Sequence, residues 1–330
     1  MRTPFANTTP TLEKYKKLLQ VAAGADSLAI VVNADPDALA SAMALKRLFW
    51  RRIKPIQIFR INRIERADNL AMVNLLDIGS RHVRFLKKTA FSRKALLDSQ
   101  PSHNEMFDAI DFDIIIDHHP RSEDLAAPFI DIREEYGANA TLMTEYLRAA
   151  DVKPSPKLAT ALFYAIKTDT NNFVHPTVNR DMIAFRFLYN YANMNIIKKI
   201  ESSEITRATL SRFQDAIQNL TFVRQTAVVH LGAVKNPDTL VQVADFFLKM
   251  AEAMWSIASG VYGKQLVVII RNAGFRRDGG KLARDLFGSM LGMVILLLWN
   301  RFSGCLHPRI PLFFGYCRLA ALALSPFRVG

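Results

Sequence analysis

Apolar and polar positions along this chain alternate between two textures. In "TLEKYKKLLQVAAG", Leu12, Tyr15, Leu18, Leu19 and Ala22 fall on one face at the helical period, which predicts an amphipathic helix with Thr11 as its cap and Gly24 as its stop. The run "SLAIVVNA" then reads as a short apolar strand, and "PDALASAMALKRLFWRR" as a helix opened by Pro36, whose missing N–H would be unpaired in a first turn anyway. The same succession recurs with "PIQIFRI", "KALLDS" and "FDIIIDHH". Strands buried on both faces look like this. Their alternation with helices predicts an α/β domain on an open parallel sheet with helices on both faces.

From 137 to 200 the text becomes helical, in "GANATLMTEYLRAA", "SPKLATALFYAIKTDT" and "NRDMIAFRFLYNYAN". It changes again after about 200. "NLTFVRQTAVVHLGAV", "EAMWSIASGVYG" and "KQLVVIIRNAG" read as strands around the helix "PDTLVQVADFFLKMA", which predicts a smaller mixed α+β domain. The boundaries read as 1–200 for the α/β domain, 201–288 for the second domain and 289–330 for an atypical tail.

A chain of 330 residues exceeds the size at which one core usually stops growing, in keeping with two domains. A formal charge of +13, from 43 basic and 30 acidic residues, favours an anionic partner such as a nucleotide, a nucleic acid or a phosphorylated metabolite. A basic solvated surface accounts for the charge about as well. The two cysteines, Cys305 and Cys317, sit in no metal-binding spacing, which argues against a disulfide framework or a zinc site. The N-terminus has no stretch of signal-peptide character, and residues 1–280 contain no run long enough to span a bilayer. The expected location is the cytoplasm. Nothing resembles a DNA-recognition helix.

In open α/β sheets, ligands bind beyond the carboxyl ends of the strands. Four segments deliver carboxylates or imidazoles to such ends: Asp35 and Asp37 in "AIVVNADPDALAS", Asp98 in "KALLDSQPSHNE", Asp117, His118 and His119 in "DIIIDHHP", and Asp169 in "YAIKTDTNNF". Each alone has an ordinary explanation, such as a helix cap for Asp35 or Asp37, a turn for Asp98 or a helix end for Asp169. Brought together, the carboxylates would raise one another's pKa steeply unless cations lay among them. Mixed Asp and His donors without thiolate suit Mn²⁺ or a comparable divalent ion, with Mg²⁺ or Co²⁺ as alternatives. Two such ions sharing a carboxylate would generate a hydroxide and stabilise in-line displacement at phosphorus.

"NADPDALASA", "LLDSQP", "IIIDHHP" and "IKTDTNNF", in this order, resemble the four N-terminal motifs of the DHH phosphoesterases. The likeness extends over residues 25 to about 285. This family includes RecJ-type exonucleases, manganese pyrophosphatases, exopolyphosphatases, cyclic-dinucleotide phosphodiesterases and the nano-RNase and pAp phosphatase group. The resemblance implies that Asp35, Asp37, Asp98, His118 and Asp169 are metal ligands, with Asp98 and Asp169 bridging two ions. It places His118, His119 and Asp98 in catalysis, His119 at the substrate phosphate, and Asp117 as the group that orients the histidines. Asp77 in "NLLDIGS" competes with Asp98 but lacks the preceding strand.

Two departures from the family pattern stand out. Val31 occupies a place where many members have a histidine ligand, with Asn33 close by as a substitute oxygen donor to metal or substrate. The family's second domain, of the DHHA1 type, ends in a glycine-rich loop after a helix like "GGKLARDLFGS". Here the chain instead runs from Leu286 onward without an acidic residue or a lysine, a shift that a change of reading frame would produce. An ordinary extension is the alternative, with "MLGMVILLLW" as a buried strand or helix segment.

In the second domain Arg271 and Asn272 are the candidates for gripping substrate, with Arg276, Arg277 and Lys281 extending the basic patch. The expected activity is hydrolysis of small nucleotides: short oligoribonucleotides, linear or cyclic dinucleotides, or pAp. The expected partner is that nucleotide or short oligonucleotide, with no membrane span; a homodimer is admitted. The alternatives are an exopolyphosphatase or pyrophosphatase-like hydrolase and a catalytically impaired nucleotide-binding regulator.

Overall fold

The computed structural model describes residues 9–88, 90–173, 178–203, 206–263 and 265–273, together with the strands Met293–Leu296 and Ser303–Gly304. The chain divides into two compact units, Met1–Glu204 and Ile205–Gly330.

The first unit carries a parallel sheet of β1 (Leu28–Val32), β2 (Ile56–Arg60), β3 (Arg81–His82), β4 (Arg93–Leu97), β5 (Ile114–Asp117) and β6 (Phe129–Ile132), in the order β3-β2-β1-β4-β5-β6. Its helices are α1 (Thr9–Val21), α2 (Pro36–Phe49), α3 (Ala67–Leu76), α4 (Glu105–Asp108), α5 (Asn139–Ala149), α6 (Pro156–Asp169), α7 (Asn179–Tyr189) and α8 (Met194–Glu201). The apolar runs of the central strands are explained by burial on both faces. Leu28, Ile30, Val32, Ala95, Leu97, Ile114 and Ile116 belong to a large core with most of the helices. The alternate residues Ala29, Val31, Leu96 and Ile115 face a smaller cluster with Phe59, Phe91, Phe107 and Phe112. A strand clad on both sides has no polar alternation to show.

Two helices that shape the site start as the chain text suggests. Asp35 caps α2 with Pro36 in its first turn, and Ser155 caps α6 with Pro156 behind it. The first helix differs from expectation: it already includes Thr9, so Thr11 lies inside it, buried, and its hydroxyl donates to Glu145 Oε2 at 3.0 Å. Gly24, at φ +70°, sits in the turn beyond the helix end.

The second unit is a mixed α+β layer: α9 (Arg207–Gln218), β7 (Thr221–Val223), β8 (Thr226–Ala233), α10 (Asp238–Phe247), β9 (Trp255–Tyr262), β10 (Gln265–Asn272), β11 (Met293–Leu296) and β12 (Ser303–Gly304). Its sheet runs β12-β11-β10-β9-β8-β7, with β8/β9 and β10/β11 parallel and the other pairs antiparallel. β11 comes from "MLGMVILLLW", so that part of the expected tail is a strand of this sheet. Arg276, Arg277, Lys281, the "GGKLARDLFGS" segment and nearly all of the stretch suspected of a frame change lie outside the described residues. Among the described residues no helix is long and apolar enough to cross a membrane.

Candidate metal centre

Strand order reverses between β1 and β4, so the loops leaving their carboxyl ends diverge and open a crevice. All four chemistry-bearing segments end there. β1 leads through Asn33 and Ala34 to the start of α2 with Asp35 and Asp37, β4 leads to Asp98, and β5 to Asp117, His118 and His119. α6, packed on α2 and α5, delivers Asp169 from its last residue. The strand ends are in register: the Asp98 amide donates to Ile116 O at 2.9 Å, which fixes Asp98 against the end of β5. Asp98 has φ +57°, a left-handed backbone that a side-chain-bearing residue seldom adopts and that accumulates at functional sites.

His118 Nε2 is the centre of the cluster. It lies 3.3 Å from Asp98 Oδ1, 3.3 Å from Asp169 Oδ2 and 3.9 Å from Asp37 Oδ2. Its other nitrogen, Nδ1, is 3.0 Å from the Tyr136 carbonyl, which can only accept, so Nδ1 carries the ring proton. In the neutral ring Nε2 is then a bare lone pair pointing among carboxylate oxygens. Asp98 Oδ1 is buried with no hydrogen-bond partner. Burial pushes Asp98 and Asp37 well above the ordinary carboxylate range, and their neighbouring carboxylates push the same way. Burial also raises Asp35, to about 6, with Asp169 adding to the shift and the Ala38 amide and both histidines opposing it. For His118 burial favours the neutral ring, but Asp169, Asp98 and Asp37 outweigh it and raise its pKa well above the usual value.

With the His118 ring neutral, the atoms that converge here are acceptors, which is the condition a divalent cation resolves, and the raised His118 pKa shows the same demand for positive charge. Two atoms each about 2.1 Å from a shared ion lie roughly 3.0–3.4 Å apart at octahedral to tetrahedral angles, matching the two 3.3 Å separations. The donor set therefore fits a metal. Asp37, Asp98, His118 and Asp169 could hold it.

The supporting contacts are specific. Asp37 accepts from the amides of Asn139 (2.6 Å) and Ala140 (2.7 Å), the first turn of α5, where the helix dipole favours a carboxylate. Asp35 Oδ1 accepts from Ala38 N at 2.8 Å, so the cap role and proximity to the cluster coexist in one residue. Asp117 is wholly buried; its Oδ1 accepts from His118 N (2.8 Å) and from His119 Nδ1 (2.7 Å). Those histidine contacts outweigh its burial and hold its pKa below the ordinary range. The His119 ring stands 4.6 Å from that of His118.

Asn33 is exposed on the loop after β1, with no side-chain hydrogen bond to the described residues. Val31 is fully buried in the smaller apolar cluster. Asp77 is the left-handed C-cap of α3, its side chain 86% exposed. In the second unit Arg271 and Asn272 end β10 and are buried; Arg271 Nε donates to Asp245 Oδ1.

Four contributors were not anticipated. Gln100, fully buried, donates to Asp117 Oδ2 (2.7 Å) and Pro120 O (2.9 Å) and accepts from Ser122 N (2.7 Å), tying the β4 loop to the β5 loop. His103 lies beside His119, with ring centroids 5.5 Å apart. Asn62 grips Ala34 through both its N–H (2.6 Å) and its carbonyl (3.0 Å), extending the β1/β2 pairing by one side-chain rung next to Asp35. Tyr136 holds His118 through its backbone. Gln100 and His103 stand just after Asp98 in "LLDSQPSH"; nothing near Asn62 or Tyr136 in the sequence marks them.

Residues 27–166 match the DHH family, N-terminal domain. Over these residues the first unit is similar to a DHH N-terminal domain. The chain is 35% identical over 258 residues to an uncharacterised protein of Methanocaldococcus jannaschii, covering 78% of this chain and 54% of that one. It is 29% identical over 109 residues to an A-adding tRNA nucleotidyltransferase of Aquifex aeolicus, covering 32% of this chain and 13% of that one. The chain thus spans about half the length of the first relative and a small part of the second. An exopolyphosphatase-related protein from Bacteroides fragilis shares the fold at a TM-score of 0.74 and 15% identity, over 95% of this chain and 97% of its own. RecJ of Thermus thermophilus, crystallised with Mn²⁺, aligns at a TM-score of 0.55 and 10% identity, over 98% of this chain and 56% of its own. At such identities the likeness speaks for the fold.

Proposed function

We propose that this DHH protein is a metal-dependent phosphoesterase that hydrolyses small nucleotides: short oligoribonucleotides, linear or cyclic dinucleotides, or pAp. The observation that carries the reading is the meeting of His118 Nε2 with Asp98 and Asp169 oxygens at 3.3 Å around a buried carboxylate atom without a hydrogen bond. Asp35, Asp37, Asp98, His118 and Asp169 would hold two divalent ions, with Mn²⁺ the best match to oxygen and imidazole donors. Such ions supply a lowered pKa for water and charge neutralisation on the phosphate oxygens.

The chain's own residues do the rest. The Tyr136 carbonyl keeps the His118 proton on Nδ1 and so presents Nε2 as a ligand. Asp117 does the corresponding work for His119, accepting from Nδ1 and leaving Nε2 open toward a substrate phosphate. Buried Gln100 keeps Asp117 from turning away.

The test is Mn²⁺-dependent release of mononucleotide from a linear dinucleotide by the wild type and by Asp98→Ala and His118→Ala. The reading expects turnover that both substitutions reduce by at least a hundredfold; equal rates in all three proteins would sink it. Hydrolysis of inorganic polyphosphate is the second reading; the Bacteroides fragilis protein of like fold is described as exopolyphosphatase-related. Polyphosphate and pyrophosphate in the same substrate panel separate the two.

A further inference from the structure

We infer that His103 is a further substrate-binding residue of this site, its Nε2–H donating a hydrogen bond to a phosphate oxygen held beside His119. The inference rests on the phosphoesterase reading and adds a residue to it.

The ring's protonation pattern follows from its neighbours. His103 Nδ1 lies 3.2 Å from the backbone N of Gln100 and 3.3 Å from Ser99 Oγ. A backbone N–H can only donate, so Nδ1 is the bare nitrogen and the proton of the neutral ring is on Nε2. That N–H has no partner among the described residues, and the ring is only half-buried. His119 is pinned in the opposite sense: Nδ1 gives its proton to Asp117 Oδ1 at 2.7 Å, so Nε2 is bare in the neutral ring. The two rings meet edge-on at 80°. Nitrogen atoms of both and an oxygen of Asp117 all fall within 4.8 Å of one another.

This trio is a poor cation site. Asp117 Oδ1 is already committed to His118 N and His119 Nδ1, and Oδ2 to Gln100 Nε2. In these tautomers the pair has one N–H donor, His103 Nε2, and one acceptor, His119 Nε2, on rings in edge contact, a combination that suits the oxygen and hydroxyl edges of a phosphate. The donor is also held firmly. Gln100 anchors the turn carrying His103 to the loop carrying His119, through Pro120 O and Ser122 N. Capping that turn requires only an acceptor at Nδ1; the Nε2–H is what an imidazole adds.

The probe is inorganic phosphate, titrated calorimetrically into the full-length protein saturated with Mn²⁺, with Mn²⁺ affinity measured in parallel. The comparison covers wild type, His103→Ala, His103→Gln, whose amide N–H reaches the place of Nε2–H, and Asp98→Ala. Expected is a loss of about tenfold or more in phosphate affinity for His103→Ala, the worth of a hydrogen bond to a charged group. Mn²⁺ affinity stays at the wild-type value, and His103→Gln recovers most of the loss. Unchanged phosphate affinity in His103→Ala, alongside its loss in Asp98→Ala, overturns the role of His103 and leaves the phosphoesterase reading standing. Loss of phosphate and Mn²⁺ affinity together, without recovery in His103→Gln, also overturns it, by showing a structural cap. If the wild type binds no phosphate, both readings fall.

Discussion

Replacing Gly137 with alanine adds one methyl group where the structure has no room for it. An ideal Cβ would lie 2.8 Å from Thr170 Cγ2 and 3.0 Å from Asp181 Oδ2, both below van der Waals contact. Neither neighbour can yield. Thr170 is fully buried and its hydroxyl donates to Ile166 O at 2.6 Å; Asp181 is fully buried and accepts from Thr141 Oγ1, Val178 N and the Gly137 amide itself. The backbone of 136–140 must therefore move. Overpacking of this kind costs about 1–3 kcal/mol, and weakening the Gly137–Asp181 bond adds about 1 kcal/mol. For a unit of this size that is a melting-point drop of roughly 5–10 °C in the EDTA-treated protein.

The informative readout is metal affinity. The displaced segment carries the Tyr136 carbonyl that orients His118 and the Asn139 and Ala140 amides that hold Asp37, so one shift misaligns two candidate ligands. Loss of such orienting contacts typically weakens metal binding by about 10–100-fold. Calorimetric titration with Mn²⁺ measures it. The double variant Gly137→Ala/Thr170→Ser, which removes the closest methyl, should recover much of both losses. A destabilised Gly137→Ala protein that binds Mn²⁺ with wild-type affinity would refute the coupling between this turn and the ligands.

Two further outcomes are expected. Asn62→Ala removes both bonds to Ala34 and should lower stability by about 1–2 kcal/mol in urea denaturation while weakening Mn²⁺ binding at the ions nearest Asp35; stability loss without any change in binding would confine Asn62 to a scaffold role. In the metal-free protein the folded state prefers Asp35 protonated, with its pKa raised to about 6, and Asp37, Asp98 and His118 are shifted upward too, so stability should fall as pH rises through about 6 and recover on acidification toward the ordinary carboxylate range. Asp117, held low, opposes this only below that range. Melting temperatures of EDTA-treated protein from pH 5 to 7.5 check the sign; a stability that rises over that interval and loses its pH dependence in Asp35→Asn would contradict the assignment.

Much of the first unit was legible because its strands are buried on both faces and most of its clustered carboxylates and imidazoles follow strand ends. Unbroken apolar runs such as "IIID" can only be interior strands at that length, and the polar residue ending each run marks the sheet edge where ligands bind. Asp35 followed by Pro36 announced its helix through local capping chemistry alone. These are interactions between near neighbours in the chain, so a one-dimensional text carries them.

The tertiary structure decided what lies between distant positions. Asp37 meets Asn139 across 102 residues, Asn62 meets Ala34 across 28, and Gly137 is excluded from bearing a side chain by Thr170 and Asp181. The choice of Asp98 beside His118, with Asp77 left on the surface, follows from strand order, since β4 neighbours β5 while α3 ends away from that edge. His103 gains its meaning only when the turn after β4 is laid against the loop after β5. The sequence determined which residue types reach the ends of the elements; packing determined which of those ends share one electrostatic neighbourhood, because charge and hydrogen bonding act over a few ångströms of space and take no account of separation along the chain.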